Sequence, residues 1–471
     1  MKLKSDICRK AAVCAFAAFA VIAVKAELSV GYARIDITPP LGTNLAGYGT
    51  IRPAEGVRDP LEAVAVAFSD GTNRAIVIVA DILALWGYAD LYRMEIANAA
   101  GTDFKAVFFA CTHTHTGPSI GWCRYGKQFD NFDNAKDHER TMKGAFASVA
   151  KLAVNDLAPA KLSIAQGEAK GISFIRRFRM KDGTCALNPG VGKPDVVAPI
   201  GEPDEQVQLL RIDREGKDSI AIVNFQCHPD TIGGRLISGD WPAVVRRTVE
   251  RALPGVKCLF VNGAQGDTNH ICTDPKRADL PPRDIRTYTH MGRVVAGAAI
   301  GLWDVCRPVE GGKVGYGIET VRVKTTRGTP EDFVEAQRII ALDKAGRRDE
   351  LPGPRRAKTA KVAWAKTVAY LQVGPDYYDM PLSAVTIGGS IAFAGLPGEA
   401  FTAYGVMLKK KSPFTMTIPA CLTNRSFGYL PMDANLKEEG YTTEGTHFTE
   451  GLEKAIMEGH LRQLHRLYTE K

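Results

Sequence analysis

The sequence predicts an α/β fold in which mixed β-sheets are covered by helices. Short apolar runs rich in β-branched residues recur along the chain and have the length of buried strands. Segments with the helical spacing of apolar residues lie between these runs, which is the pattern of sheets packed against helices. With 471 residues, of which 45% are hydrophobic, the chain can bury a large core without covalent cross-links.

Five runs have the composition of largely buried strands. They span residues 74–83, 105–114, 219–228, 256–264 and 383–395. Helices are predicted near residues 85–100, 137–156, 242–253, 289–304, 330–345, 356–371 and 449–467. The charged, Pro- and Gly-containing stretch 344–358 joins two of these helices and is interpreted as a surface excursion, with a domain boundary as the alternative.

The first 26 residues have the pattern of a secretory signal peptide. Basic residues between Lys2 and Lys10 precede an apolar run, and "VKA" at 24–26 has the small residues of a cleavage site. An uncleaved anchor is the alternative, but the apolar run is shorter than the ~20 residues of a spanning helix. We therefore expect cleavage after Ala26, a secreted or periplasmic protein, and a single domain over residues 27–471.

The charge of the mature chain argues against nucleic acid or an anionic surface as a partner. The 26 signal residues carry five Lys or Arg and one Asp, so their removal lowers the formal net charge from +8 to about +4. That balance is too mild to attract a polyanion. No segment of the mature sequence is apolar enough to span a membrane, so a small molecule is the expected partner, and the oligomeric state is left open.

The mature chain keeps eight cysteines and no Cys-x-x-Cys pair. They stand at positions 111, 123, 185, 227, 258, 272, 306 and 421. An exported protein could pair some of them, and the sequence leaves any pairing open. Cys111, Cys227 and Cys258 lie in strand-like runs, so we interpret them as reduced, buried thiols.

Two histidines end the second predicted strand, in "CTHTHTGP" (111–118). Alternation along a strand places His113 and His115 on one face, next to the break at Gly117-Pro118. Open α/β sheets bind ligands at this carboxyl edge. The pair can supply two metal ligands, or one ligand and a neighbouring acid/base group, although a merely hydrogen-bonded pair is equally consistent with the motif alone.

Three more predicted strands end in residues that suit a metal site. His228 precedes Pro229-Asp230, the segment "NGAQGDTNH" (262–270) follows another strand, and Glu399 follows a fourth in "GLPGEAF". Convergence of imidazole and carboxylate groups at one sheet edge favours zinc, which lowers the pKa of bound water to ~7. The layout therefore predicts a zinc site.

The residues resemble the neutral/alkaline non-lysosomal ceramidases over roughly Gly31 to Gly445. Five stretches, in order, carry the resemblance: "GYARIDITPPLGTNLAGYG", "CTHTHTGP" (the family's THTHSGP), "NFQCHPDTIGG…LISGDWP" (its His-Pro-Thr and Ser-Gly-Asp-Asn segments), "GLPGEAFTAYG" and "TNRSFGYLPMDANLKEEGY". The resemblance implies the fold of that family's catalytic N-terminal domain. It also implies a lipid-like or smaller N-acyl substrate.

The resemblance implies roles for particular residues. The zinc ligands would be His113, His228, Glu399 and Tyr429, with the tyrosine position the least secure because the alignment there could slip. His115 would lie beside the metal as a hydrogen-bonding or acid/base group. Arg176 would lie near the reacting carbonyl, with its neighbour Arg177 as the alternative. Asp240 and Asp267 are candidates for side chains that orient the histidines.

The sequence also departs from the family. Gly263 stands where the family has a serine near the zinc, and Trp241 stands where it has an asparagine, so we expect an altered cleft. A turn requiring positive φ is the alternative reason for Gly263. The chain ends soon after the Tyr-rich stretch, so we expect only the catalytic domain, without the family's additional C-terminal domain.

These observations predict an exported, zinc-dependent hydrolase that cleaves an N-acyl (amide) bond with zinc-activated water. One alternative is a true neutral ceramidase acting on N-acylsphingosine in lipid metabolism. A second, from a different class, is a catalytically silent ligand-binding protein, because the family serine is missing.

Overall fold

The computed structural model of the chain describes residues 27–48, 52–87, 89–118, 120, 135–276, 285–353, 355–438, 441–444 and 446–470. The predicted signal peptide and Cys123 lie outside these residues. Within them, no helix is both long and apolar enough to cross a membrane.

Strands occur along the described chain from Ser29 to Leu430. In chain order they are β1 (Ser29–Asp36), β2 (Gly56–Val57), β3 (Glu62–Ser69), β4 (Arg74–Ala80), β5 (Val107–Cys111), β6 (Ala158–Glu168), β7 (Phe174–Ile175), β8 (Arg177–Met180), β9 (Cys185–Leu187), β10 (Val196–Pro199), β11 (Gln206–Arg214), β12 (Ser219–Phe225), β13 (Leu236–Ile237), β14 (Val256–Asn262), β15 (Thr268–Asn269), β16 (Arg307–Val309), β17 (Val314–Lys324), β18 (Tyr377–Ile387), β19 (Ile391–Gly395), β20 (Glu399–Ala400), β21 (Met416–Ala420) and β22 (Tyr429–Leu430).

Helices lie between many of these strands. They are α1 (Ala89–Ala100), α2 (Ala135–Asn155), α3 (Asp240–Ala252), α4 (Ile285–Trp303), α5 (Pro330–Lys344), α6 (Arg355–Gln372), α7 (Thr402–Lys411), α8 (Tyr441–Glu444) and α9 (Leu452–Thr469), with 3₁₀ turns at Phe104–Ala106, Arg348–Glu350 and Asp433–Asn435.

Two mixed sheets pack face to face. The larger has the order β14-β12-β11-β6-β1-β3-β4-β5 with β16 added beside β6, and the smaller has the order β17-β18-β19-β21. The pairs β4–β5, β12–β14 and β19–β21 are parallel. Apolar residues of both sheets fill the space between them, as where the Phe393 ring lies 6.0 Å from Phe68 and 5.9 Å from Phe108.

Helices cover the outer faces of both sheets. Phe146 of α2 packs against Phe109 of β5, with ring centroids 4.8 Å apart. Trp241 of α3 packs against Phe260 of β14 at 5.0 Å. Helix α9 contributes Leu464 to the core beneath the outer face of the smaller sheet. The predicted fold class, mixed sheets covered by helices, is therefore confirmed.

Two predicted segments differ in detail from the structure. Residues 383–395, predicted as one strand, belong to two antiparallel strands, β18 and β19, whose turn contains Gly388 at φ +55°. The stretch 344–358 connects α5 and α6, which pack against each other through a small apolar cluster that includes Ile339 and Val362. The single domain over residues 27–471 stays a prediction.

A buried ion pair ties α3 to the strand ends that precede the histidine motif. Arg246 donates to Asp81 through Nη1 at 3.1 Å and Nη2 at 2.5 Å, and its Nε donates to Glu62 at 3.1 Å. Asp81 also accepts hydrogen bonds from the Thr112 hydroxyl and the Glu62 amide. Both Arg246 and Asp81 are buried, so each charge depends on the other for compensation.

We expect Arg246→Met to lower the free energy of unfolding by about 3–5 kcal/mol, because it leaves the Asp81 carboxylate buried without its cation. Equilibrium unfolding in urea measures this. The matched control is Arg322→Met, which removes an exposed pair with Asp379 that solvent already screens. An unfolding midpoint for Arg246→Met equal to that of the control would contradict the assigned importance of the buried pair.

Candidate metal centre

His113 and His115 lie in the turn after β5 rather than in the strand. The strand ends at Cys111, and His113 adopts φ +72°, a conformation that costs a side-chain-bearing residue about 1–2 kcal/mol. The His113 amide donates to Ile82 O at 3.1 Å, and Nδ1 lies 2.8 Å from Leu83 O. Both imidazoles face one space, as predicted, but the turn brings them there rather than strand alternation.

Asn262, the last residue of β14, joins three of the strand ends that form the site. Its Nδ2 donates to Thr112 O at 3.0 Å and to Cys227 O at 3.3 Å. Its own carbonyl accepts from the Cys421 amide at 3.0 Å. Asn262 is almost fully buried. One side chain therefore sets the spacing between the turn that carries His113 and the segment that carries His228.

Four ligand-type atoms converge above these strand ends. His113 Nε2 lies 3.2 Å from His228 Nε2 and 3.3 Å from Glu399 Oε2, and the His228–Glu399 distance between the same atoms is 3.4 Å. His115 Nε2 lies 3.3 Å from His113 Nε2. The histidines are buried, and the three form a group that could hold a metal ion.

The donor set fits zinc. Metal–ligand bonds of ~2.0–2.1 Å in a tetrahedron place neighbouring ligand atoms about 3.3 Å apart. The triangle of His113, His228 and Glu399 has edges of that length. The Nδ1 atoms of His113 and His228 lie against the carbonyls of Leu83 and Gln265, which leaves the Nε2 lone pairs facing the centre. Glu399 Oε2 is buried with no hydrogen-bond partner among the described residues.

The N-terminal segment holds His115 in place. A Cβ atom at Gly47, where φ is +101°, would lie 2.5 Å from His115 Cγ, so only glycine allows this approach. The Tyr48 ring packs edge-on against the His115 imidazole with centroids 4.9 Å apart. Arg52 Nη2 donates to His115 O at 2.7 Å. Contacts to the ring and to the backbone of His115 therefore both hold this residue in place.

Glu399 and Tyr429 are adjacent because β20 pairs with β22 in register. The Tyr429 hydroxyl accepts from Arg176 Nη2 at 3.0 Å, and the same nitrogen donates to Gly266 O at 2.5 Å. A Cβ atom at Gly266 would lie 2.2 Å from Glu399 O, so glycine is required for this approach too. Arg176 is therefore part of the same assembly as the glutamate and the tyrosine.

Arg177, the alternative to Arg176, points elsewhere. Its Nη2 donates to Glu438 at 2.6 Å, and its guanidinium lies 5.2 Å from the centre of the Phe401 ring. Of the two arginines, Arg176 is the one that the structure places beside Tyr429.

The electrostatics favour neutral imidazoles at His115 and His228 and an ionised carboxylate at Glu399. Burial, assisted by His113, lowers the pKa of His115 to about 3. Burial and the Arg176 charge hold the pKa of His228 well below its usual range. Burial alone would raise the pKa of Glu399, but His113 and Arg176 outweigh it and the pKa lies below its ordinary value. Neutral imidazole and carboxylate are the forms that bind a metal ion.

Asp240 and Asp267 do not contact the histidine rings. Asp240 accepts from the Thr231 amide at 3.0 Å and from the Trp241 amide at 2.6 Å. Asp267 accepts from the amide and hydroxyl of Thr402 at 2.7 and 2.8 Å. These carboxylates brace the loops that follow His228 and Glu399, and their part in orienting the histidines stays a prediction. The Nδ1 atoms of His113 and His228 themselves lie against main-chain carbonyls.

Gly263 and Trp241 also differ from expectation. Gly263 does not have positive φ, so the backbone explanation is wrong. A Cβ atom there would lie 2.7 Å from Gln226 Oε1 and 3.0 Å from its Cβ, so glycine makes room for Gln226. Trp241 is fully buried in the core, with its Nε1 3.4 Å from His228 O. Trp241 contacts the main chain of His228 from the hydrophobic core and does not line the site.

Several residues of the site carried no sequence signal of their own. Asn262 is one polar residue in a polar segment, and Tyr48 was visible only as part of the opening segment. Asp230 and His270, whose side chains lie 3.2 Å apart, stand 40 positions apart in the sequence. Cys111, Cys227 and Cys258 are buried and unpaired, as predicted.

Comparisons with known proteins give a likeness of fold. No family model matches the sequence, and no curated protein matches it significantly. The crystal structure of a neutral ceramidase from Pseudomonas aeruginosa is similar, with a TM-score of 0.69 and 16% identity, covering 94% of this chain and 75% of that chain. A ceramidase complexed with C2 gives a TM-score of 0.68 and 15% identity, covering 94% and 76%. The resemblance in the motifs is thus confirmed as a shared fold.

We expect Asn262→Asp to weaken Zn²⁺ binding by about tenfold or more, the range for residues that support metal ligands. The new oxygen would face the carbonyls of Thr112 and Cys227 instead of donating to them. Titration of the folded chain against a competing chelator measures the affinity. Asn98→Asp, on the exposed side of α1, is the control. Unchanged affinity in a folded Asn262→Asp chain would show that Asn262 does not position the histidines.

Proposed function

We propose that this chain is an exported, zinc-dependent hydrolase of the neutral ceramidase type that cleaves the amide bond of an N-acyl compound. The observation that carries the proposal is the triangle formed by His113 Nε2, His228 Nε2 and Glu399 Oε2, with edges of 3.2 to 3.4 Å. It lies within a fold that solved ceramidases share. Export rests on the signal pattern of residues 1–26 alone.

The distances support His113, His228 and Glu399 as the protein ligands of one zinc ion. His115 is less central: its Nε2 lies 3.3 Å from His113 Nε2, whereas the other three atoms all lie within 3.4 Å of one another. Tyr429 is proposed as a further ligand because its neighbour in the β20–β22 pair is Glu399. His115 then serves as a hydrogen-bonding or acid/base group beside the metal.

When bound, zinc would polarise the scissile carbonyl and lower the pKa of a bound water to ~7. Arg176 is held rigidly by Tyr429 and Gly266, and its permanent charge can stabilise the developing oxyanion. His115 Nε2 is neutral in its buried position and can accept a proton and return it to the leaving amine. Gly263 supplies no hydroxyl, so the chain offers no serine nucleophile at that point.

The choice of an amide bond rests on the fold neighbours, which are ceramidases. Gln226 occupies the space beside Gly263. A serine side chain at position 263 would meet Gln226, so the end of this strand differs in shape from one that carries a serine. This difference favours a substrate other than ceramide. A small N-acyl compound is therefore proposed ahead of N-acylsphingosine.

The first test concerns the division of roles between the histidines. We expect about one zinc per purified chain, and we expect His113→Ala and His228→Ala each to weaken its binding by at least about tenfold. His115→Ala should instead keep the zinc and lower kcat by about 10²- to 10⁴-fold, the usual contribution of a general acid/base group. Elemental analysis, chelator titration and amine release measure these effects.

His465→Ala is the matched control, because this histidine is exposed on α9 and far in sequence from the site. It should keep both zinc and activity. Full zinc retention in His228→Ala would remove His228 from the ligand set, and equal zinc loss in His113→Ala and His115→Ala would make both of them ligands.

The second test concerns the substrate. We expect zinc-dependent release of amine from small N-acyl compounds, a poor rate with ceramide, and no efficient ceramidase activity in Gly263→Ser, because the added side chain meets Gln226. A panel of N-acyl amino acids, N-acetylated sugars and N-acyl lipids, assayed with and without chelator, measures this. Efficient ceramide cleavage by the unmodified chain would establish a true ceramidase. Inactivity toward the whole panel with zinc bound would favour a ligand-binding protein.

A further inference from the structure

An aspartate–histidine pair lies beside the metal centre and has no part in holding it. Asp230 Oδ1 lies 3.2 Å from His270 Nδ1, and their side chains are 16% and 9% exposed. The side chains of His113 and His228 are 4% and 1% exposed. Asp230 is thus more exposed than these histidines and than Glu399, whose side chain is 11% exposed, whereas His270 is buried to a similar degree as Glu399.

The backbone around Asp230 is held without its carboxylate. Tyr48 Oη donates to the carbonyls of Asp230 and Ile232, at 3.2 Å each. The His115 amide donates to Pro229 O at 3.1 Å. Because main-chain bonds already fix this loop against the segment that clamps His115, the Asp230 side chain is not needed for its position.

The Asp230 carboxylate lies close enough to the groups assigned to the chemistry to interact electrostatically with both His115 and Arg176. Among the described residues, its one side-chain hydrogen-bond partner is His270. A largely buried carboxylate accepts several hydrogen bonds when it is fully satisfied, so Asp230 has acceptor capacity left for a ligand.

The chemistry of a carboxylate limits which ligand groups it can bind. An ionised carboxylate only accepts hydrogen bonds, so it selects a ligand group that donates one.

We propose that the Asp230–His270 pair is a substrate subsite that accepts a hydrogen bond from a hydroxyl or ammonium group located next to the scissile amide. This inference rests on the proposed function and specifies its substrate class. His270 acts as a positioning residue that fixes the carboxylate, and Asp230 makes the contact. Substrates without a donor near the amide would leave the carboxylate unsatisfied and would bind more weakly.

Three probes of equal acyl chain test the subsite: N-hexanoyl-ethanolamine with a hydroxyl, N-hexanoyl-ethylenediamine with an ammonium, and N-hexanoyl-propylamine with a methyl group. Amine release by the full zinc-loaded chain gives kcat and KM for each. We expect kcat/KM to be about tenfold to a hundredfold higher for the two donor probes, as a charge-assisted hydrogen bond provides. The difference should lie mainly in KM.

Asp230→Ala should abolish that preference, so that kcat/KM falls more for the two donor probes than for the propylamide, while the zinc content stays unchanged. Asp230→Asn should reduce the preference for ammonium more than that for hydroxyl, because the amide oxygen still accepts but the charge is gone. His270→Gln should reduce both preferences in part. Asp379→Asn, an exposed site on β18, is the control for an Asp-to-Asn change.

Equal kcat/KM for all three probes in the unmodified chain would overturn the inference. So would an equal loss on all three in Asp230→Ala, which would indicate a structural role. If none of the probes is cleaved, the proposed function fails separately, and calorimetric binding of the same uncleaved probes decides the subsite. Equal affinity for donor and methyl probes would then overturn it. Should Asp230→Ala not fold, Asp230→Asn and His270→Gln carry the same comparison.

Discussion

The candidate site depends on the carboxamide of Asn262. The larger sheet ends in β5 at one edge of its strand order and β14 at the other, yet Asn262 at the end of β14 donates to Thr112 directly after β5. The same nitrogen reaches Cys227, and the Asn262 carbonyl binds the amide of Cys421. Backbone carbonyls at strand ends would otherwise be buried without donors. By satisfying two of them, one side chain brings distant segments of the sequence together at one point.

Several residues around the candidate site adopt conformations or close contacts that cost free energy. His113 takes a left-handed conformation, and Gly47 and Gly266 allow approaches to His115 and Glu399 that any side chain would block. The burial of three imidazoles and a carboxylate adds a desolvation cost. Such costs persist where the surrounding structure over-determines the geometry. The apolar layers between the sheets and beneath the helices provide that support, which is the physical reason for a large core around a small polar site.

The charged groups of the site lie close to one another. Burial lowers the pKa of His115 and His228 beside the ionised Glu399. Arg176 donates to the Tyr429 hydroxyl, and the more exposed Asp230 pairs with His270. Positive and negative groups alternate, so each buried charge has a neighbour of opposite sign. Under the proposed function, metal binding, stabilisation of the oxyanion and recognition of the substrate would fall to distinct groups of residues.

The sequence by itself determined the class of fold and the residue types of the site. Apolar periodicity is a local property, so buried strands and amphipathic helices could be predicted, and His113, His115, His228 and Glu399 stood out because each follows an apolar run. What only the tertiary structure decided were the contacts between residues far apart in the chain. The contacts of Asn262, the position of Arg176 rather than Arg177 beside Tyr429, the packing of Gln226 on Gly263 and the Asp230–His270 pair all depend on how strand ends meet. No local pattern encodes these contacts, because they arise from the register and curvature of sheets whose strands come from the whole length of the chain.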